Sequence, residues 1–168
     1  MNESEWFDYQ LSSTLDGFLW AVRQVPEERI TVPPPAPLGE WTATQHVYHL
    51  VQYEEKLALP AMQQWLGAPF REVEDYEGEV GRDLPPVADL LARFEQVRKA
   101  EIGLLPQLAN CDWRATRKTS WGDTSLYWIV CKTYQHTLDH TNTVLAFGLF
   151  WDRMLKYQAQ EQNQSNPA

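Results

Sequence analysis

The histidines are the residues whose spacing most directly suggests chemistry. All four fall into two close pairs, His46 with His49 and His136 with His140. A four-residue step along an α-helix turns through only about 40°, so His136 and His140 would lie on one helix face a single turn apart. Two imidazoles placed in this way can bind one ion, and imidazole nitrogen favours zinc, nickel, copper or iron over magnesium or calcium. The second pair therefore predicts half of a transition-metal site.

The first pair can supply a third nitrogen, since helical bundles build metal sites from side chains on facing helices. His46 and His49 differ by about 60° in direction, so both cannot point equally well at one centre, and the pattern alone leaves either open as the ligand. The competing interpretation is that the histidines are core residues satisfied by hydrogen bonds. Burial of unpaired imidazoles is unfavourable whereas ligation would satisfy them, which favours the metal site.

Three histidine ligands leave coordination positions open, which is typical of a catalytic ion. Such an ion could lower the pKa of a bound water, or bind and deprotonate a thiol. Tyr53 lies one turn after His49 and could donate a proton or line the pocket, although core packing is the more common fate of such a tyrosine. Asp139 flanks the second histidine pair and could orient an imidazole, or it could be a surface charge. Tyr53, Asp139 and His46 are thus the candidates for supporting roles.

Other reactive side chains point elsewhere. Glu54 and Glu55 lie about 140° and 120° around the second helix from His49, and so away from the ion. Cys131 lies about 140° and 180° around the fourth helix from the two histidines there, which excludes it as a ligand. With Cys111 it makes too few cysteines for a disulfide framework, and we expect both to be reduced.

The elements that must position these residues are helices. Apolar residues recur at helical spacing over residues 4–24, which predicts a first helix. Thr42 and Gln45 match a capping box and should open a second helix that runs to Leu66. Because Pro60 falls inside this span, we expect a kink or an early end there.

Two further helices follow. Pro86 suits the start of a third helix, whose apolar stripe ends near Leu108. Asp123 could cap a fourth helix over residues 124–147, and Gly148 offers a break before a short C-terminal helical extension. The chain therefore predicts four long helices.

The remaining segments are connections and a tail. Residues 30–40 are proline-rich and should be extended, and the acidic run in 70–84 is most simply a solvated loop. Residues 110–122 are basic and aromatic, and they could cover the mouth of a site and meet an anionic ligand, or simply pack over the end of the bundle. We find no strand pattern of useful length. The chain is thus predicted to be one all-α domain, a four-helix bundle at 1–157, followed by a disordered tail at 158–168.

Composition excludes several function classes. The 168 residues carry a net charge of −9, which repels a phosphate backbone and argues against nucleic-acid binding. The N-terminus lacks the basic and then apolar character of an export signal, and no run approaches the roughly eighteen apolar residues of a membrane span. We therefore expect a cytoplasmic protein with a small-molecule substrate.

Trp41-Thr42, with His49 eight residues after the Trp, and the distant His136-x-x-x-His140 resemble the DinB/YfiT-like superfamily over most of the chain. The resemblance implies an up-down-down-up four-helix bundle, often a homodimer. It also implies that His49, His136 and His140 hold a divalent metal, zinc or nickel before iron or copper.

His46 has no counterpart in the family pattern, so we interpret it as a pocket or supporting residue, with substitution for His49 as the alternative. The family is similar to thiol transferases, thiol-dependent isomerases and metal-dependent hydrolases. The chain would then be a metal-dependent enzyme that activates water or a low-molecular-weight thiol against small electrophiles. The alternative is a non-catalytic bundle that acts in oligomerisation or partner binding.

Overall fold

Four apolar stripes at helical spacing become the four helices of a bundle in the computed structural model, which describes residues 2–73 and 83–165. Its helical elements are α1 (Glu3–Arg23), α2 (Ala43–Tyr53), a π-helical turn (Glu54–Ala58), α3 (Leu59–Gln63), α4 (Val87–Leu108) and α5 (Leu126–Ser165). Single 3-10 turns lie at Glu27–Arg29, Ala36–Leu38 and Gln64–Leu66. α2, the π-helical turn and α3 are continuous and form the second bundle helix. The predicted all-α fold is confirmed, while parts of the predicted acidic loop (74–82) and tail (166–168) lie outside the described residues.

Side-chain caps determine where the first two helices begin. Glu5 N donates to Asn2 Oδ1 at 2.9 Å, and Asn2 N donates to Glu5 Oε2 at 3.1 Å. The predicted capping box of the second helix is present, because Gln45 N donates to Thr42 Oγ1 at 3.1 Å and Thr42 N donates to Gln45 Oε1 at 2.8 Å. These bonds satisfy amides that would otherwise lack partners. The second box sets the start of the helix that carries the first histidine pair.

Pro60 distorts the second bundle helix, as predicted. Proline has no amide to offer the carbonyl four residues earlier, and the widened turn at Glu54–Ala58 comes directly before it. The helix nevertheless continues through α3, and its last 3-10 turn ends at Leu66 as expected. Gly67 then adopts a φ of 95°, a left-handed conformation that favours glycine and ends the helix.

Contacts between the helices establish their directions. The start of α1 meets the end of α4, where Ser4 Oγ donates to the Leu105 carbonyl at 2.6 Å, and meets the start of α5, where the Phe7 and Tyr127 rings lie 5.7 Å apart. α2 is antiparallel to α5, because the histidines contact one another in reverse order. α2 packs with the start of α4 and α3 with its end, so these helices are parallel. The bundle is therefore up-down-down-up.

A short β-hairpin lies between α4 and α5, where the sequence predicts no strand. β1 (Thr116–Thr119) pairs antiparallel with β2 (Gly122–Ser125). Gly122 has a φ of 87°, which glycine adopts readily, and Trp121 N donates to Thr119 Oγ1 at 3.2 Å within the turn. Each strand has only four residues, too few for an alternating pattern to stand out in the sequence.

The hairpin also changes where the last helix begins. Asp123, the predicted cap, and Thr124, the predicted first residue, belong to β2, and α5 starts at Leu126. Ser125 performs the capping role instead, because its Oγ accepts a hydrogen bond from Trp128 N at 3.2 Å.

The end of α5 differs from the prediction as well. Gly148 does not break the helix, because glycine in a helix interior costs only about 1 kcal/mol whereas Phe147 and Trp151 on either side are both buried. Residues 158–165, predicted to be disordered, continue the helix, since Gln, Glu and Ala are good helix formers. Within the described part of the chain, no helix is long and apolar enough to cross a membrane.

A buried ion cluster lies at the centre of the bundle. Arg98 of α4 and the carboxyl groups of Glu54 and Glu101 are all 0% exposed. Arg98 Nε lies 3.2 Å from Glu54 Oε2 and 3.1 Å from Glu101 Oε2, and Nη2 donates to Glu54 Oε1. The guanidinium also donates to Thr14 Oγ1 at 3.1 Å and to Thr137 Oγ1 at 2.7 Å. One side chain therefore connects α1, the π-helical turn, α4 and α5.

The cluster contains two carboxyl groups and one guanidinium, so it would carry an uncompensated buried charge if both carboxyl groups were ionised. Burial raises the pKa of Glu101 well above its ordinary value, and the negative charge of Glu54 raises it further. Among the described residues, none donates a well-aligned hydrogen bond to either carboxyl oxygen of Glu101. A protonated Glu101 can instead donate its O–H to Glu54. These surroundings favour the neutral form of Glu101, and with Glu101 neutral the cluster has no net charge.

This conclusion predicts a pH-dependent stability. Because the pKa of Glu101 is higher in the folded than in the unfolded chain, its contribution is fully present below the unfolded pKa of about 4.3 and is lost as pH rises through the folded pKa. Glu101→Gln, which imitates the neutral acid, should remove a decline of up to about 1.4 kcal/mol per pH unit in that window. Urea unfolding of both proteins from pH 4 to pH 9 measures the difference. Glu95→Gln, on the exposed face of α4, should keep the decline, and identical profiles for wild type and Glu101→Gln would show that Glu101 is ionised.

Candidate metal centre

The antiparallel packing of α2 against α5 brings the two histidine pairs together. One ring nitrogen from each of His49, His136 and His140 lies within 4.8 Å of the others. His136 Nε2 is 3.1 Å from His49 Nε2 and 3.1 Å from His140 Nε2. Nitrogen ligands around a tetrahedral zinc ion are about 3.3 Å apart, given Zn–N distances of about 2.0–2.1 Å. This three-histidine cluster, made of the residues that the sequence predicts as ligands, could hold a metal ion.

Burial keeps the imidazoles of His136 and His140 neutral. Desolvation, reinforced by neighbouring histidines, lowers the pKa of His136 to about 3 and that of His140 to about 2. Neutral imidazole is the form that binds metals, because the unprotonated nitrogen has a lone pair to donate. A cation between the three converging nitrogens would satisfy all of them at once. The donor set therefore fits a divalent transition metal such as zinc or nickel.

His46 lies behind His140 rather than beside the three converging nitrogens. Its Nδ1 is 2.7 Å from His140 Nδ1, on the opposite side of the His140 ring from Nε2. Burial and the nearby His49 lower the pKa of His46 to about 4, so this imidazole is neutral too. If His140 binds a cation through Nε2, its proton must sit on Nδ1 and is donated to His46 Nδ1. This geometry supports the interpretation of His46 as a supporting residue and not its substitution for His49.

Aromatic rings enclose the cluster at both ends. The Trp41 ring lies 5.0 Å from the His49 ring and 6.3 Å from the His140 ring, nearly parallel to the latter. Tyr53, a candidate from the sequence, is 1% exposed, and its ring lies 4.4 Å from that of His136. Tyr53 thus lines the site.

The acidic candidates lie elsewhere. Asp139 is exposed and accepts a hydrogen bond from Gln135 on the same helix, which favours the surface-charge interpretation over the imidazole-orienting one. Glu54 points into the core toward Arg98, and Glu55 binds Arg93 near the surface. None of these three side chains lies on the face of its helix that carries the histidines.

The cysteines match their predicted state. Cys111 and Cys131 are both free, and burial raises the pKa of the Cys131 thiol. The Cys111 thiol faces the Trp65 carbonyl at 3.7 Å.

Sequence reasoning missed the residues around the site that lie on other elements. Arg98 and Glu101 belong to the apolar stripe of α4, between Phe94 and Leu105, and charged residues at such positions are a usable signal of a buried ion pair. Trp121 reaches the Tyr53 ring at 5.8 Å because the hairpin places it there. Without the hairpin, nothing in the sequence relates these two aromatic residues.

The fold is an up-down-down-up helical bundle, and the three-histidine cluster lies between its second and last helices. Proteins of this class can hold a metal ion inside the bundle. The chain belongs to the DinB superfamily, whose family model matches residues 10–144 and so covers most of the chain and all four histidines. Neither the curated proteins nor the solved structures provide a significant match. The family match confirms the resemblance to the DinB/YfiT-like superfamily that the motifs around Trp41 and the histidines indicate.

The first prediction for the site concerns His140. His140→Ala removes one of three converging nitrogens, so metal content after incubation with zinc should fall from about one ion per chain to less than about a tenth. Helical circular dichroism should stay unchanged, because the bundle is held together by its core. Elemental analysis measures the metal, and an unchanged content in the variant would show that His140 is not a ligand.

The second prediction separates His46 from His49. His46→Ala should weaken metal binding by about 10-fold to 100-fold while keeping about one ion per chain at saturation, because it only removes the acceptor behind His140. His49→Ala should lower the stoichiometry itself. Competition titration with a coloured chelator measures both quantities. Equal loss of stoichiometry in the two variants would contradict the assigned roles.

Proposed function

We propose that this DinB superfamily member is a metal-dependent enzyme in which His49, His136 and His140 hold a divalent transition metal, zinc or nickel. The observation that carries the proposal is the convergence of three imidazole nitrogens from two helices, with His136 and His140 desolvated and neutral. Three ligands leave room for a substrate, which is typical of catalytic rather than structural sites.

A bound metal would supply Lewis acidity, lowering the pKa of water or deprotonating a thiol. The residues of the chain do the rest. His46 holds the ring of His140 in one tautomer and one orientation. Trp41 and Tyr53 cover the histidines with aromatic surface and limit the access of bulk water.

The positions of the carboxyl groups favour a thiol over water as the activated group. A hydrolase benefits from a carboxylate near the metal to accept a proton, but Glu54, Glu55 and Asp139 are all committed elsewhere. A thiol is acidic enough to lose its proton on coordination alone. The reaction would then be transfer of a small thiol: sulfur forms a bond to an electrophilic carbon, the leaving group departs with its electron pair, and the thiol proton passes to solvent.

The cosubstrate that supplies the sulfur would be a low-molecular-weight thiol, since neither Cys111 nor Cys131 belongs to the three-histidine cluster. Hydrolysis of a small electrophile is the second route that the same three-histidine site could support. A homodimer, implied by the family resemblance, stays a prediction.

The proposal predicts that thiols bind at the metal. Protein loaded with cobalt(II) should develop an intense near-ultraviolet charge-transfer band when titrated with cysteine, because sulfur then coordinates the ion. Serine, which differs only in having oxygen for sulfur, is the matched control ligand and should produce no such band. His140→Ala treated in the same way should show neither cobalt binding nor the band.

Two results would contradict the proposal in different ways. Less than about a tenth of an ion per chain after incubation with zinc, nickel or cobalt would remove the metal-dependent enzyme and leave the non-catalytic bundle. Stoichiometric cobalt without a thiolate band, together with hydrolysis of a small activated ester, would support the hydrolase in place of the transferase.

A further inference from the structure

A chain of aromatic rings leads from the histidine cluster to the surface. The Tyr53 ring lies 4.4 Å from the His136 ring and 5.8 Å from the Trp121 ring. Trp121 in turn contacts Trp128 edge-on at 5.4 Å. Exposure increases along this path, from 1% at Tyr53 to 40% at Trp128. The path thus ends at the exposed Trp128, which lies against the partly buried Trp121.

The hairpin holds this pair in place. Arg117 of β1 donates to the Gln64 carbonyl at 2.7 Å and lies over the Trp65 ring at 5.2 Å, which ties the hairpin to the end of the second bundle helix. Trp121 closes the hairpin turn and packs against the core, so covering the core accounts for this residue. The same explanation does not account for Trp128, which keeps two fifths of its large apolar surface in water. Apolar surface left exposed next to a site is typical of ligand binding.

A positive charge accompanies the tryptophans. Lys132 lies one turn after Trp128 and one turn before His136, on the same stripe of α5. Lys132 Nζ lies 3.0 Å from Gln135 Oε1 on the same helix, and the Lys132 side chain is only partly buried. Lys132 therefore places a positive charge at the rim of the site, in a chain with a net charge of −9.

We propose that Trp121, Trp128 and Lys132 form a substrate subsite beside the histidine cluster, specific for a small anionic molecule with a planar, apolar body. The planar part would lie against the tryptophan pair, as aromatic groups pack favourably on indole rings. The anionic group would be attracted by Lys132 and by the cation of the neighbouring centre. The inference rests on the proposed function in one respect: the bound molecule would be the electrophile that the small thiol attacks.

Benzoate and acetate are suitable probes, because they share a carboxylate and differ in the planar body. NMR titration should show that benzoate binds about tenfold more tightly than acetate to the zinc-loaded protein. Trp128→Ala should reduce this preference to about threefold or less, and Trp128→Phe should restore most of it. Trp20→Ala, which removes a 55% exposed tryptophan from α1, is the matched control and should leave the preference unchanged.

The charge is tested separately. Lys132→Gln should weaken benzoate and acetate alike, by about threefold to tenfold, and so leave their ratio unchanged. Equal binding of the two probes to wild type, or a preference that survives Trp128→Ala, would overturn the subsite. Equal affinities of Lys132→Gln and wild type would remove the lysine from it.

The metal-free protein separates this inference from the proposed function. The preference for benzoate should persist without metal, although both affinities fall, because the tryptophan pair belongs to the chain. A chain that binds no zinc yet prefers benzoate would refute the metal-dependent enzyme and support the subsite. A chain that binds zinc stoichiometrically without preferring benzoate would do the reverse.

Discussion

The guanidinium of Arg98 is the constraint on which the rest of the bundle depends. It is fully buried, and its donors reach groups on every helix of the bundle, including Thr14, Glu54 and Thr137. Removing two opposite charges from water offsets most of the attraction between them, so such a cluster adds little net stability compared with apolar packing. Its effect is on geometry, because any shift of one helix relative to the others would leave a buried donor or acceptor without a partner. The cluster therefore selects one register for all four helices.

That register determines the position of the site. Thr137 follows His136 on α5, and Glu54 follows Tyr53 on the second bundle helix, so two contacts of Arg98 hold residues adjacent to ones that line the histidine cluster. The widened turn that begins at Glu54 is part of the same arrangement. It comes after the regular α-helix that carries His49 and Tyr53, so the distortion caused by proline does not disturb the face that meets α5. Preorganisation of the three nitrogens is thus a property of the whole core.

The sequence predicted what depends on periodicity within one helix. The four-residue step of His136 and His140 places both on one face in any regular helix, and the capping box at Thr42 sets where the first histidine pair begins. What depends on distance between helices could not be predicted. The helical pattern alone does not decide whether His46 or His49 is the ligand, and only the packing of α2 on α5 places His46 behind His140 and His49 at the centre. The hairpin could not be predicted for a different reason, because a strand of four residues is too short to show a clear alternation of apolar and polar residues.

The buried basic groups of the core are in different charge states, because Arg98 is charged whereas the imidazole of His136 is neutral. Desolvation opposes the charge of every buried base, and the neighbours decide the outcome. The Glu54 carboxylate lies against Arg98 and keeps it charged, whereas the nearby His49 and Lys132 favour the neutral form of His136. Arg98 itself contributes to lowering the pKa of His136. A second positive charge close by would normally oppose cation binding. Because the Glu54 carboxylate balances the charge of Arg98, this ion pair adds no net positive charge beside the centre.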